Sequence, residues 1–166
     1  FLIPIFKSGI GYDIHQIDTN SKKGLKLCGV KINFNKLIGH SDADVGIHAI
    51  CDSIFGALSM KDIGYYFSNK DSKWANKNSE YFLKFASDQL KEKNFFIVNL
   101  DINFICEKPN INNHRNKMIK KLSKVLNISE NIISIKATSN EKIGFIGDGL
   151  GIAAESIVQI CNENIY

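Results

Sequence analysis

SDADVGIHAICDSIFGALS, residues 41–59, carries two patterns at once. Ile47, Ile50, Cys51, Ile54 and Leu58 recur at three- and four-residue intervals, the spacing of one buried helix face. Ser41 is the expected N-cap, and Asp42 and Asp44 follow in a first turn whose dipole favours negative charge. Asp44, His48 and Asp52, each four apart, form a second, polar stripe beside the apolar one. A histidine between two carboxylates on a helix that must also pack against a core invites a metal reading.

Working outward from this helix, residues 5–14 and 25–36 read as strands, with Gly24 and Cys28-Gly29 marking turns or bulges. Residues 62–78 mix polar and aromatic side chains without a period and read as a long loop. Ser79 opens a second helix that runs to Lys93. From Phe95 to Cys106 the chain alternates: Phe96, Val98, Leu100, Ile102, Phe104 and Cys106 on one side, Asn99, Asp101 and Asn103 on the other, a strand with one face buried. Pro109 ends it. A third helix is expected over 113–126 with Met118, Ile119, Leu122 and Val125 inward, then a strand from Ile132 to Ala137, a glycine-bearing loop from Thr138 to Gly151, and a last strand from Ile152 to Cys161. Strands and helices mix without strict alternation, so the expected class is α+β, a mixed β-sheet with helices packed on one face.

At 166 residues the chain has the size of a single domain, 1–166. No apolar run reaches the roughly 20 residues that span a bilayer. The net charge is +4, nearly all of it lysine, with Arg115 the only arginine. These lysines are scattered among asparagines rather than drawn into a stripe, which argues against a nucleic-acid surface and suits a phosphorylated small substrate. Cys28, Cys51, Cys106 and Cys161 lie far apart in apolar segments, giving neither a thiolate site nor a disulfide framework. The chain starts Phe1-Leu2-Ile3 without methionine, and an upstream segment is expected.

Asp13-Ile14-His15 lies on the first strand, where side chains two apart leave the same face. With His48 they would give three N/O ligands and leave a fourth position open, the pattern of a catalytic rather than a structural zinc site. Asp44 or Asp52 could orient the His48 ring from behind. A DxH pair alone is common, and His114, at a helix start, is read as an ordinary surface residue. A second cluster, Thr138-Ser139-Asn140-Glu141-Lys142, follows a strand and offers hydroxyls, a carboxylate and an ammonium to a phosphate and a divalent cation. The glycines after it, in GFIGDGLG, match no dinucleotide or Walker fingerprint.

GYDIHQ (11–16), GHSDADVGIHAICDSIFGAL (39–58), KDIGYYF (61–67) and KATSNEKIGFIGDGLGIAAES (136–156), taken together, resemble the 2-C-methyl-D-erythritol 2,4-cyclodiphosphate synthase family in order and spacing. The resemblance implies a homotrimer with active sites between subunits. It also implies a phosphorus–oxygen lyase that closes 4-diphosphocytidyl-2-C-methyl-D-erythritol 2-phosphate into a cyclic diphosphate with loss of CMP, in the non-mevalonate isoprenoid pathway. Zn²⁺ would sit on Asp13, His15 and His48, and Mg²⁺ or Mn²⁺ on Glu141 with the diphosphate. His40 and Ser139 would stabilise the transition state. His40 and Ser41 would hold the phosphorylated erythritol end, and Asp62, Ile63, Gly64, Phe67 and Asp71 its hydroxyls. Cys106 and Pro109, in the segment 106–112, would form the cytosine pocket with Ala137 and Thr138; Phe145 completes the contacts.

Four positions depart from the family pattern. Asn69 stands where an aspartate is usual, Glu107 and Lys108 change the neighbours of Pro109, and Asp148 replaces a frequent arginine tied in some members to an isoprenoid diphosphate in the central cavity. With the charge reversed, no such anion is expected to bind. A zinc phosphohydrolase and a nucleotide- or isoprenoid-binding module without turnover are the competing readings. The first is disfavoured by the lack of a second dense ligand cluster and of a general base aimed at water, the second by the intact DxH and HSDADVGIH motifs. The expected compartment is a plastid stroma of the apicoplast type, with a bacterial cytoplasm as the alternative.

Overall fold

The 41–59 segment does form a helix, but it starts three residues later than expected, as α1 (Val45–Ala57). In the computed structural model, which describes residues 3–163, the N-cap is Asp44, not Ser41. The Asp44 carboxylate accepts from Ile47 N at 3.1 Å, and also from Cys28 N at 2.8 Å and Gly29 N at 2.7 Å. One buried side chain therefore closes both the helix start and the turn of a distant hairpin. Ala43, at φ 54°, turns the chain just before the cap.

The hairpin is β2 (Gly24–Leu27) and β3 (Val30–Asn35), split at Cys28-Gly29. The main sheet has four strands, β1 (Phe6–Gln16), β4 (Phe96–Ile105), β5 (Ile133–Thr138) and β6 (Gly151–Cys161), in the order β1-β6-β4-β5. Only β4 and β5 run parallel. Parallel neighbours need a crossover, and α4 (Arg115–Leu126) lies within it. Arg115 secures it, its Nε donating to Ile135 O on β5 at 3.0 Å.

The β1–α1 contact is unusually close. A Cβ on Gly9 would lie 1.9 Å from Ser53 O, and one on Gly11 1.9 Å from Ala49 O. Backbone meets backbone there, and no other residue fits. Behind α1 lies α3 (Glu80–Glu92), with Phe55, Phe82, Leu83, Leu100, Phe104, Met118 and Leu122 among the buried core. The longer helices α1, α3 and α4 pack together on one face of the sheet, as expected. The opposite face carries Ile10, Tyr12 and Ile157, each more than half exposed.

One strand reading and one loop reading are corrected. A register shift between Ile97 and Asn99 inverts the alternation at the start of β4. Ile97 is buried and Phe96 is 46 % exposed, because a bulge adds one residue and flips the faces. The 62–78 loop contains α2 (Ile63–Tyr66) and a 3-10 turn at Ser72–Trp74. It packs through rings: Phe67 lies 4.9 Å from Trp74 and 4.4 Å from Phe82 between centroids. Aromatic contacts of this kind hold a segment without any periodicity. The glycine-bearing loop likewise holds a short turn, α5 (Gly144–Gly147). The four cysteines are free and buried, and no helix among the described residues is long and apolar enough to cross a membrane.

Candidate metal centre and substrate cleft

Asp13 and His15 leave β1 on the helix side and meet His48 from α1. Asp13 Oδ2 lies 3.1 Å from His15 Nε2 and 2.9 Å from His48 Nδ1, and the three ligand atoms fall within 4.8 Å of one another. Ligands at zinc bond lengths in a tetrahedron stand about 3.3 Å apart, so the spacing suits the ion. The donor set suits it as well. His15 Nδ1 lies 2.7 Å from Ile38 O, and a carbonyl can only accept. The Nδ1 of His15 therefore carries hydrogen and its Nε2 lone pair faces the cluster. Gly39 makes room for this ring: a Cβ there would lie 2.9 Å from His15 Cε1.

Burial alone would raise the Asp13 carboxyl, but hydrogen bonds from His15 and His48 outweigh it and hold the group well below the usual carboxylate range. His15 is raised by the same carboxylate, against the opposing effect of its own burial. Asp13 is thus held as a carboxylate, the form in which it can ligate a cation.

The polar stripe on α1 divides its labour differently from the expectation. Asp44 caps the helix. Asp52 accepts from Ile63 N at 2.7 Å and so anchors the Asp62-Ile63-Gly64 turn. Neither carboxylate orients His48. Its outer nitrogen, Nε2, instead faces Ser79 Oγ at 3.0 Å and Ser41 Oγ at 3.2 Å. Ser79, expected only to open a helix, therefore sits beside the cluster as well.

His40, Ser41, Ile63, Gly64 and Phe67 line one cleft with the three ligand residues, joined by Asn69, Trp74 and Phe82. Asp71 lies at its rim, its carbonyl 3.3 Å from His40 Nε2. Asp62 caps the neighbouring turn through Tyr65 N at 2.9 Å. Trp74 and Phe82 escaped the sequence reading. The density of rings between Tyr65 and Phe85 was the signal that could have found them. The cleft encloses about 160 Å³, less than the roughly 300 Å³ where small-ligand pockets begin, and it can take only part of a nucleotide-sized substrate.

The second group stands elsewhere. Asp13 pairs with Ala154, Ala154 with Phe104, and Phe104 with Ala137. Asp13 and Ala137 thus sit in one row at opposite edges of the sheet, roughly 14 Å apart at three strand spacings. Beyond Ala137, Thr138, Ser139 and Glu141 are exposed. Ser139 Oγ donates to Glu141 Oε1 at 2.8 Å. Glu141 and Lys142 both take positive φ, 51° and 61°, a conformation that non-glycine residues adopt at a cost and that gathers at functional loops. Cys106 N donates to Thr138 O at 3.1 Å and its thiol reaches Pro109 O at 3.8 Å, so this residue offers a ligand its backbone only. Burial pushes that thiol up to about 11. Phe145 is 56 % exposed on the following loop.

The chain matches the model of the YgbB family over residues 6–161. It is 43% identical over 166 residues to a protein of Ehrlichia canis named 2-C-methyl-D-erythritol 2,4-cyclodiphosphate synthase, covering 97% of this chain and 96% of that one. Among solved structures it resembles IspF of Plasmodium falciparum in a CDP complex, with 41% identity and a TM-score of 0.85 over 96% of this chain and 97% of that one. The bifunctional IspDF of Campylobacter jejuni gives a TM-score of 0.90 at 34% identity, and there the chain spans 96% of its own length but only 43% of the larger protein.

Proposed function

We infer the activity from one premise: the chain belongs to the YgbB family, and its relatives over nearly their whole length are named as cyclodiphosphate synthases. On that premise it converts 4-diphosphocytidyl-2-C-methyl-D-erythritol 2-phosphate into 2-C-methyl-D-erythritol 2,4-cyclodiphosphate and CMP, a step in making isoprenoid precursors by the non-mevalonate route. The observation that carries this reading is the convergence of Asp13, His15 and His48 beside His40 and Ser41.

An oxygen of the substrate's 2-phosphate bonds to the β-phosphorus. The bond from that phosphorus to the oxygen bridging it to the α-phosphate breaks, and its electron pair leaves with CMP. The nucleophile comes with the substrate, so no activated serine or cysteine is needed, and the protein has to align two anions that repel each other. His40 and Ser41 hold the phosphate end in the cleft, and the Asp62–Gly64 turn with Phe67 and Asp71 closes on the erythritol hydroxyls. Ser139 presents its hydroxyl to the diphosphate, while the 106–112 segment, Ala137, Thr138 and Phe145 surround the base. Zn²⁺ on Asp13, His15 and His48 and Mg²⁺ near Glu141 would supply Lewis-acid neutralisation of the phosphate charge.

The two half-sites at opposite sheet edges support a homotrimer, in which the metal edge of one subunit meets the nucleotide edge of the next. The uncovered face with Ile10 and Ile157 supports it too. The Ehrlichia relatives are bacterial, so the compartment proposed is a bacterial cytoplasm; they lend no support to a plastid stroma. Asp148 is exposed on its loop. Calorimetry with farnesyl or geranyl diphosphate is therefore expected to show no saturable binding, and tight binding would refute the charge argument.

Phosphorus NMR of the protein with the cytidyl substrate, Zn²⁺ and Mg²⁺ tests the activity. The expected products are CMP and a cyclic diphosphate; release of inorganic phosphate would instead indicate a hydrolase. His48→Ala should lose both bound zinc and turnover, and retained turnover would remove His48 from the ligand set.

A further inference from the structure

We propose that Ser79, backed by Asp42 and Lys26, is a positioning residue that fixes the tautomer and ring orientation of His48 for metal binding. The inference rests on the reading of Asp13, His15 and His48 as a metal centre. His48 turns Nδ1 to Asp13 and Nε2 to Ser79 Oγ at 3.0 Å. A metal at Nδ1 needs the lone pair there, so the ring hydrogen has to sit on Nε2 and find an acceptor. A hydroxyl accepts best when its own hydrogen is committed elsewhere. Ser79 commits it to the Asp42 carboxylate, a short contact in this structure.

The rest of the chain keeps Asp42 an acceptor. Its second oxygen takes the Ser79 N–H at 3.1 Å and Lys26 Nζ at 2.8 Å. Burial would raise this carboxyl, yet the bonds from Lys26 and Ser79 prevail and hold it below its usual value. Lys26 is itself fixed by Asn78 Oδ1 at 2.8 Å. The relay runs His48 Nε2–H to Ser79 O–H to the Asp42 carboxylate to the Lys26 ammonium. It ties β2, the turn before α1 and the start of α3 to one ring.

The position of Ser79 adds an independent observation. It stands at the N-cap of α3, yet its side chain makes no capping bond to that helix, and it is fully buried. A serine there normally spends its hydroxyl on the helix. This one spends it on His48 and Asp42, so removing it does not uncap α3. Ser41 Oγ, slightly farther from His48 Nε2 at 3.2 Å, is already engaged by Ala43 N at 3.3 Å and has no carboxylate behind it.

The test is metal affinity of the full chain, by chelator competition with Zn²⁺ and by the visible absorption of bound Co²⁺, with circular dichroism confirming the fold. Ser79→Ala and Asp42→Asn are each expected to weaken binding roughly tenfold to hundredfold and to shift the Co²⁺ bands, while Ser79→Thr, which keeps the hydroxyl, restores both. Ser79→Ala that is folded with wild-type affinity and spectrum would overturn the proposal, as would Asp42→Asn acting alone. Failure of the unmodified chain to bind either metal would instead overturn the metal centre itself, so the two outcomes are distinct.

Discussion

Asp44, His48 and Asp52 share one helical stripe yet take three separate roles: a cap, a candidate metal ligand and an anchor for the next turn. Asp44 is the most exacting of them, because a fully buried carboxylate must satisfy three backbone N–H groups. Burial raises its carboxyl to about 6, partly offset by those bonds. In the unfolded chain the group titrates near 4. The folded chain therefore holds the proton more tightly between about pH 4 and pH 6, and the contribution of this group to stability is greatest below pH 4 and declines as pH rises through 6. Asp44→Asn cannot titrate. The variant is expected to be less stable overall, since the amide replaces one acceptor oxygen, but its deficit should shrink as pH rises from 4 to 7, by at most about 3 kcal/mol. Urea titrations of both proteins across that range measure it; a deficit that grows with pH would show the carboxyl is not raised.

Among the elements, β1 and α1 fix the site by touching backbone to backbone. Gly11→Ala would force a methyl into Ala49 O, and a loss of about 3 kcal/mol is expected from overpacking of this severity. Denaturant unfolding would report it, and zinc content should fall with it as Asp13 and His48 part. Much at this scale was legible. The i, i+3, i+4 spacing gave α1, and the DxH pair gave a common face on β1, because helix and strand periods are written directly in side-chain identity. What was not legible depended on contacts between distant segments. The N-cap moved from Ser41 to Asp44 because the hairpin turn at Cys28-Gly29, far away in sequence, needed the same carboxylate. The bulge in β4 came from its pairing with β6, and the 62–78 segment found its order in rings from α3. For the same reason Ser79 escaped notice: nothing near it in sequence says that His48 is its neighbour.

At the scale of the whole molecule, the sheet has a helix side and a bare side. On the bare side, Ile10 pairs in register with Ile157, which pairs with Asp101, so an apolar patch lies beside the Lys136–Asp101 ion pair. If subunits meet on this side, Ile157→Glu, pointing outward from each isolated chain, should leave the fold intact and break the assembly. Sedimentation is expected to show monomers, with zinc still bound and turnover lost, because the metal edge no longer meets a nucleotide edge. A monomer retaining full turnover would place both half-sites within one chain's reach.

The glycine contacts at positions 9 and 11 bear on how such a sequence can drift over evolution. Most helix–strand distances are set by the side chains between them, so every change of volume in a core shifts the spacing a little. Here the distance between the strand bearing Asp13 and His15 and the helix bearing His48 is set by main-chain atoms, which substitution does not alter. Isoleucines and phenylalanines can be exchanged elsewhere in the core over many generations while the geometry of Asp13, His15 and His48 stays where it began. The freedom of the core to vary is obtained by allowing none at two small residues.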